Sequence, residues 1–497
     1  MSIITRFPPE PSGFMHLGHM IAVTLNSEFA NKFGGKTLLR FDDTNPSKAQ
    51  FIYENNFLNN LNTFGFQFFK ITHTSDSFLL FLDYVSKLIK DGNAYVDAST
   101  KDEIKYQRKN KLPSPSRDNS IDINLALYQN LLNGLNNFVI RAKIDPSSDN
   151  GSLRDPVLYR YCSDIHYRSN DTKYPYKIYP TYDFSCPILD SLDGITHTFR
   201  TTEYEDRTPL YYWILDKLNL RKPLLKTFAS LKFKNVVLSK RKIQEMINNK
   251  IVDGWDDPRL FTIDGLSRRG FHPSTLLDFV KEYLKSLYKA KNPDKYQPCQ
   301  TSVEQDPHKL YLMGNNYMNR YAPRSTVISS ADFYILNISP QFQSYDKEIN
   351  INPKDPSYGK RSIKISDRVY IEGKDVAFLD TNLNSMVTLL NSYTVKIIAI
   401  DHNTKIIETQ IYNRNDVDSS YKLTWLSVDN CKNGLIVDYD SNNNLTYSKI
   451  FVDPFLFTFS KSSHVQLMRR GNFIIDDIDA VNITLIKMYD TKHNHLS

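Results

Sequence analysis

Two histidines three residues apart, His16 and His19, close the proline- and glycine-bearing stretch FPPEPSGFMHLGH (Phe7 to His19), and three cations, Lys240, Arg241 and Lys242, end VVLSKRK (Val236 to Lys242). At the start of a helix, imidazoles at i and i+3 share one face, where free backbone N–H groups and the helix dipole favour phosphate. A basic loop can close over a triphosphate and neutralise charge building on a leaving pyrophosphate, which is catalysis by positioning and electrostatics. Each element has a plainer reading by itself. The first is a Pro/Gly turn whose histidines cap a helix, and the second is a solvated charge run. Together they read as one nucleotide site built from two distant loops.

The surrounding elements are arranged to carry such a site. Ile3, Ile4 and Phe7 form a short apolar strand that ends at Pro8-Pro9, because proline cannot continue a ladder and restricts the residue before it. Gly13 and Gly18 let the backbone approach a ligand, and LGHMIAVTLNSEFANKF from Leu17 to Phe33 has helical character. A Gly34-Gly35 turn, a strand at Thr37 to Phe41 and helices at Phe51 to Thr63 and Ser77 to Lys90 complete a βαβ pattern. Lys101 to Ser120, with RKNKLPSPSRDNS, is polar and is expected as an exposed loop within an insertion that ends near Pro175. Strands at Ile195 to Thr201 and Leu224 to Phe228 around a helix at Leu210 to Leu218 return to α/β character, which places a ligand crevice at the carboxyl ends of parallel strands.

Residues 240 to about 320 read as helical, and from Arg324 onward RVYIEG, MVTLL, TVKIIAI, KIIETQIY, KLTWL, GLIVDY, HVQLMRRGNFII and NITLIKMY read as strands separated by turns. The organisation expected is α/β: a Rossmann-like domain from 1–95 and 178–240, an inserted domain at 96–177, a helical subdomain at 241–322 and β-barrels at 323–497.

Bulk properties narrow the classes without choosing one. At 497 residues the chain can hold several domains, and its formal charge of +7 suits a polyanionic partner without establishing it. Cys162, Cys186, Cys299 and Cys431 are scattered without paired spacing, so neither a zinc knuckle nor a disulfide framework is indicated, and a cytosol-like compartment fits. No run reaches a membrane-spanning length, and no membrane partner is expected. The first strand begins near residue 3, so neither a targeting peptide nor an extra N-terminal interaction domain is expected.

The histidine turn and the Ser-Lys loop, in this order and on these elements, resemble the HIGH and KMSKS signatures of class I aminoacyl-tRNA synthetases. LLRFDDTNPSK (Leu38 to Lys48), IYPTYDFSCPILDSLDGITHTFRTTEYEDR (Ile178 to Arg207) and DGWDDPRLFT (Asp253 to Thr262) resemble glutamyl- and glutaminyl-tRNA synthetases, most closely the archaeal and eukaryotic glutamyl type. The resemblance runs from about residue 3 to 275 and resumes more weakly in DRVYIEGKDVAFLD, KLTWL and VQLMRRGNFIIDD. It implies that glutamate and ATP, with Mg²⁺ escorting the nucleotide, form a glutamyl-adenylate whose acyl group passes to tRNA(Glu). It also implies an inserted acceptor-stem domain, C-terminal anticodon-binding barrels, a cytoplasmic location and a monomer.

Roles carried over by the resemblance fall on named residues. His16 and His19 would contact the ATP phosphates, Gly18 would allow close packing by base or ribose, and Ser239, Lys240 and Thr201 would complete the nucleotide site, with Lys240 stabilising the pyrophosphate side of the transition state. Arg6, Glu10, Asp42, Tyr182 and Asp183 match positions lining the amino-acid and acceptor-end pocket. A carboxylate and a phenol both accept hydrogen bonds from an ammonium, which suits Asp42 and Tyr182. Asp206 would lie near the acceptor stem, while Gln466 and Arg469 resemble anticodon-reading positions, although an arginine on a barrel strand can equally face solvent.

Arg200 occupies the position where glutaminyl enzymes carry cysteine, and its planar fork can take a side-chain carboxylate bidentately. Two departures stand against the pattern: Ser230 where the family carries arginine, and Val237 where the longer signature has lysine. A glutaminyl enzyme, which Arg200 disfavours, and a catalytically impaired tRNA-binding homologue, which Ser230 favours, stand as alternatives.

Overall fold

A computed structural model describes residues 2–134, 138–300, 304–338, 342–412, 421–440 and 444–488. Its chain forms two units, one of Met1–Phe233, Leu238–Glu245 and Leu277–Gln305, the other of Lys234–Val237, Met246–Leu276 and Asp306–Ser497.

The first unit is built on parallel strands. β1 (Ile4–Phe7) is followed by helix α1 (Leu17–Lys32), β2 (Lys36–Phe41), α2 (Phe51–Thr63) and β3 (Lys70–His73), and β1, β2 and β3 pair in parallel in that order. Gly35 permits the first of these pairings, because a Cβ there would stand 2.1 Å from the Ile3 carbonyl oxygen, which instead accepts the Lys36 N–H at 2.9 Å. On the other side of β1, strand His197–Thr201 pairs in parallel with Leu224–Phe228. Thr196 ties that strand to β1, donating its N–H to the Ile4 carbonyl at 2.8 Å and accepting the Ile4 N–H on Oγ1 at 2.9 Å. The chain thus builds outward from β1 in one direction and then in the other. That reversal opens a crevice beyond the carboxyl ends of β1 and His197–Thr201.

Two arginines occupy largely buried strands, and one carboxylate accounts for both. Arg6 of β1 is fully buried, and its Nε donates to Asp190 on helix Tyr182–Leu192 at 3.1 Å, while Arg40 of β2 donates to the same carboxylate and to Asp193 at 2.7 Å. Burial alone would raise the Asp190 pKa, but the two guanidinium groups hold it at about 2. Breaking a buried ion network by removing one charge leaves the others uncompensated. Asp190→Asn is therefore expected to lower unfolding free energy by about 3 kcal/mol, read as a fall in the urea midpoint. An unchanged midpoint would mean that the arginines are not held by this charge.

Between β3 and strand His197–Thr201 the chain leaves to form a four-stranded antiparallel sheet of Ala94–Asp97, Val139–Ala142, Val157–Tyr161 and Ile178–Pro180. The polar stretch after Thr100 differs from its expected loop: Lys101–Lys109 is a helix, opened by a capping box in which Thr100 Oγ1 accepts the Glu103 N–H and Glu103 accepts the Thr100 N–H. Its composition hid it because this short helix buries only Ile104 and Gln107.

The second unit ends in two seven-stranded sheets, each closed in the same way. Arg324–Ser325 and Val327–Ser329 lie at opposite edges of one sheet, and Lys422–Leu423 and Trp425–Ser427 at opposite edges of the other. Within each pair a single residue, Thr326 or Thr424, joins the edges, so one segment runs along both and brings the sheet to a nearly closed barrel. Inward Val, Ile and Leu side chains fill each core. Strands Tyr345–Asn350 and Lys360–Ile365, which pair as a separate hairpin, were not visible in the sequence pattern because most of their side chains are solvated.

Candidate active site

The crevice holds a cavity of about 590 Å³. Its walls come from the turn after β1, the end of β2, the start of helix Tyr182–Leu192, the end of His197–Thr201 and Lys240. Of the residues singled out in the sequence, Glu10, His19, Asp42, Tyr182, Asp183, Arg200, Thr201 and Lys240 line it.

The histidine turn is organised by its own backbone. His16 caps α1: its Nδ1 accepts the Gly18 N–H at 3.1 Å, and His19 Nδ1 accepts the His16 N–H at 3.2 Å. With both Nδ1 atoms accepting, each ring carries its proton on Nε2. Burial and the nearby Lys240 ammonium hold His16 down to about 3, and burial with His16 holds His19 well below its ordinary value. The rings, 3.8 Å apart, are therefore neutral hydrogen-bond donors. A Cβ on Gly18 would stand 2.9 Å from the His16 ring, so this glycine keeps the capping imidazole in place.

Positive charge enters on Lys240, the first residue of helix Lys240–Asn248. Its Nζ donates to the Glu10 carbonyl and to Ser12 Oγ, each at 3.1 Å, and Ser12 Oγ donates to the Glu10 carboxylate at 2.8 Å. The lysine is thus held against the turn that leads into the two histidines. Ser239 beside it is exposed and lies off the cavity wall.

Two ionisable groups in the wall each keep a buried atom without a hydrogen-bond partner. Arg200 is 5% exposed, its Nε has no hydrogen-bond partner, and it forms no ion pair with any described residue. Its guanidinium carbon lies 4.9 to 5.6 Å from the ring centres of Tyr182, Tyr204 and Tyr211. Cation–π contacts hold the fork in place while its N–H groups remain available. Asp42 Oδ1 is likewise buried without a partner, and burial, with Glu10 and Asp43 beside it, pushes that carboxyl up to about 7. The Asp42 carboxyl is hydrogen-bonded to Thr44 yet keeps Oδ1 free, so a buried cation without an ion-pair partner and a carboxyl oxygen without a donor share one cavity and call for a ligand bearing the complementary groups.

Other sequence candidates lie elsewhere. Arg6 is beneath the cavity, bound to Asp190 and to the Phe199 carbonyl at 3.0 Å. Asp206 is exposed, and its backbone carbonyl accepts from Asn150 and Ser152 at 2.7 Å. In the second unit, Gln466 donates to Asn319 at 2.8 Å and Arg469 makes a bidentate pair with Asp375 at 2.7 and 2.8 Å. Ser230 Oγ donates to Glu203 at 3.1 Å. Tyr204 and Tyr211, absent from the sequence candidates, complete the arginine's cage. Tyr204 stands four residues after Arg200 in the segment RTTEYEDR, and only its aromatic character hinted at a role.

The parallel sheet, its reversal point and the phosphate-type turn beside a charged amino-acid-sized cavity define a class of nucleotide-dependent α/β enzymes. Residues 2–296 match the family of class I tRNA synthetases (E and Q), catalytic domain, and residues 322–413 match the anti-codon binding domain of the same synthetases. The chain belongs to the class I tRNA synthetases of the E and Q type, the family its motifs resemble. It is 35% identical, over 96% of its length and 76% of the relative's, to a probable cytoplasmic glutamate–tRNA ligase of Enterocytozoon bieneusi (strain H348). It is 34% identical, over 95% of its length, to the bifunctional glutamate/proline–tRNA ligase of Drosophila melanogaster, of which it spans 28%. Among solved structures it is similar to glutamate-tRNA synthetase from Elizabethkingia anophelis, at 18% identity and a TM-score of 0.48, covering 65% of this chain and 72% of that one.

Proposed function

We propose that this chain joins L-glutamate to tRNA(Glu) in two steps. In the first, a carboxylate oxygen of glutamate attacks the α-phosphorus of ATP, forming glutamyl-adenylate and releasing pyrophosphate. In the second, a terminal ribose hydroxyl of the tRNA takes the acyl group, releasing AMP and a proton. The observation that carries this reading is Arg200, a buried guanidinium in the cavity wall that is gripped by three tyrosine faces and forms no ion pair with any described carboxylate. The side-chain carboxylate of glutamate supplies that partner, and Asp42 takes the substrate's ammonium. Glutamine would leave the cation uncompensated. Sites built for such a partner reject the analogue lacking it by about 10⁴.

The nucleotide end follows from the remaining residues. His16 and His19 offer Nε2–H donors to phosphate oxygens, and Lys240 moves from the Glu10 carbonyl to the pyrophosphate as charge develops there. Mg²⁺ would enter with ATP, on the nucleotide's phosphates. No described helix is long and apolar enough to cross a membrane. With relatives named as cytoplasmic, a cytoplasmic setting fits this reading.

Pyrophosphate release and charging with glutamate and with glutamine, using total tRNA, test the assignment. Charging by glutamate alone is expected, whereas glutamine charging, or tight tRNA binding with neither product, would overturn it. The Asp42 carboxyl adds a pH dependence. Its folded pKa, about 7, lies above the unfolded 3.8, so its contribution to stability is full below 3.8 and is lost as pH rises through 7. Glutamate's ammonium needs the ionised form, so KM for glutamate should fall between pH 6 and pH 8. Asp42→Asn should abolish that trend, raise KM, and make the ligand-free protein relatively more stable at high pH.

A further inference from the structure

Asp42 and Asp43 send their carboxylates to different places. That of Asp42 lines the cavity, while that of Asp43 is fully buried and accepts the Ser75 N–H at 2.8 Å and the Ser75 hydroxyl at 2.6 Å. The Asp43 backbone carbonyl is bound from the inserted segment, by His166 Nε2 at 2.7 Å. His166 Nδ1 accepts the Arg168 N–H at 3.2 Å, so the ring proton belongs on Nε2 and the bond to Asp43 is a donation.

The neighbours of His166 anchor the same segment at two more points. Tyr167 OH donates to Glu54 of α2 at 2.8 Å, and Arg168 Nη1 donates to Ser75 Oγ at 2.8 Å and to Asp76 at 2.7 Å, just beyond β3. On the far side of the pair, the Asp42 N–H donates to the Pro9 carbonyl at 2.8 Å. The backbone at 42–43 is therefore clamped between the turn after β1 and a strap from the insertion. Asp42 Oδ1 has no partner, and the carboxyl's hydrogen bond goes to Thr44, which the same backbone carries, so its aim depends on that backbone.

We propose that His166 is a positioning residue for the amino-acid site: its Nε2–H on the Asp43 carbonyl fixes the peptide between Asp43 and Thr44 and so directs the Asp42 carboxylate at the substrate's ammonium. The assignment rests on the glutamate-ligase reading. It makes part of the inserted segment a structural component of the amino-acid pocket, although no atom of His166 lines the cavity. Displacement of a binding group by about 1 Å can lower turnover or binding by about 10²-fold, which sets the scale of the expected effect.

The test is His166→Phe, which keeps a ring against Phe78 and Tyr179 but removes the N–H. In glutamate-dependent pyrophosphate exchange with tRNA present, KM for glutamate should rise by about 10- to 100-fold, with KM for ATP and for tRNA within about twofold of wild type. His166→Gln, whose amide can donate to the same carbonyl, should recover most of the loss. If His166→Phe does not fold, Ser75→Ala removes a donor to Asp43 from the other side and should show the same selective rise. An unchanged KM for glutamate overturns the assignment, as does a loss confined to kcat or to KM for tRNA, or one that glutamine at 166 fails to recover. No exchange by the wild-type protein with glutamate overturns the ligase reading and this assignment with it. Wild-type exchange with an indifferent variant overturns this assignment alone.

Discussion

Arg200→Ala is expected to reduce kcat/KM for glutamate in adenylate formation by about 10³-fold, or about 4 kcal/mol, mostly through KM. The size follows from the environment. The guanidinium is 5% exposed, its Nε is unpartnered, and three tyrosine rings surround it, so the substrate carboxylate replaces water in a poorly solvated place. Charge-assisted bonds in such surroundings are worth more than their exposed counterparts. Because the arginine pairs with no described carboxylate, its removal strands no buried anion, and the melting temperature should change little. The same substitution should narrow the gap between glutamate and glutamine, since both then meet a neutral pocket. Steady-state pyrophosphate exchange with each amino acid reads both effects. Unchanged glutamate kinetics would remove Arg200 from substrate recognition.

Lys240→Ala is expected to lower the rate of adenylate formation by about 10³-fold while tRNA affinity stays within a factor of about two. Neutral His16 and His19 can donate hydrogen bonds but carry no charge, so compensation for the developing pyrophosphate falls on the ammonium beside them. That ammonium rests on the Glu10 carbonyl and Ser12 Oγ, two neutral acceptors that a phosphate can outcompete. Lys240→Arg keeps the charge but changes its shape and reach, and should recover only part of the rate. Rapid-quench measurement of adenylate with filter binding of tRNA separates the two quantities. Equal losses in both would place Lys240 in RNA binding.

The histidine turn was legible in sequence because its geometry is local. A strand closed by Pro8-Pro9, a glycine-bearing turn and two histidines on the first helical turn specify one another within a few residues, and His16 and His19 cap the helix through bonds to Gly18 and His16 themselves. The parallel strands and the barrel strands with one apolar face were legible for a similar reason, since burial imposes a period. The helix Lys101–Lys109 and the hairpin Tyr345–Asn350 with Lys360–Ile365 were not, because solvated faces leave composition free to vary.

What sequence could determine by itself was the family, the order of its elements and the residue types available to phosphate and carboxylate. It could not tell the arginines apart. Arg6 and Arg200 both sit in buried strands, yet Arg6 is neutralised by Asp190 across 184 positions of chain, whereas Arg200 meets aromatic faces and pairs with no described carboxylate, which leaves it open to a ligand. The same holds for Asp42 and Asp43, adjacent carboxylates that the fold sends to opposite sides. Which buried charge is already paired depends on what the fold brings to it from distant parts of the chain, and that pairing separates a structural ion from a binding group.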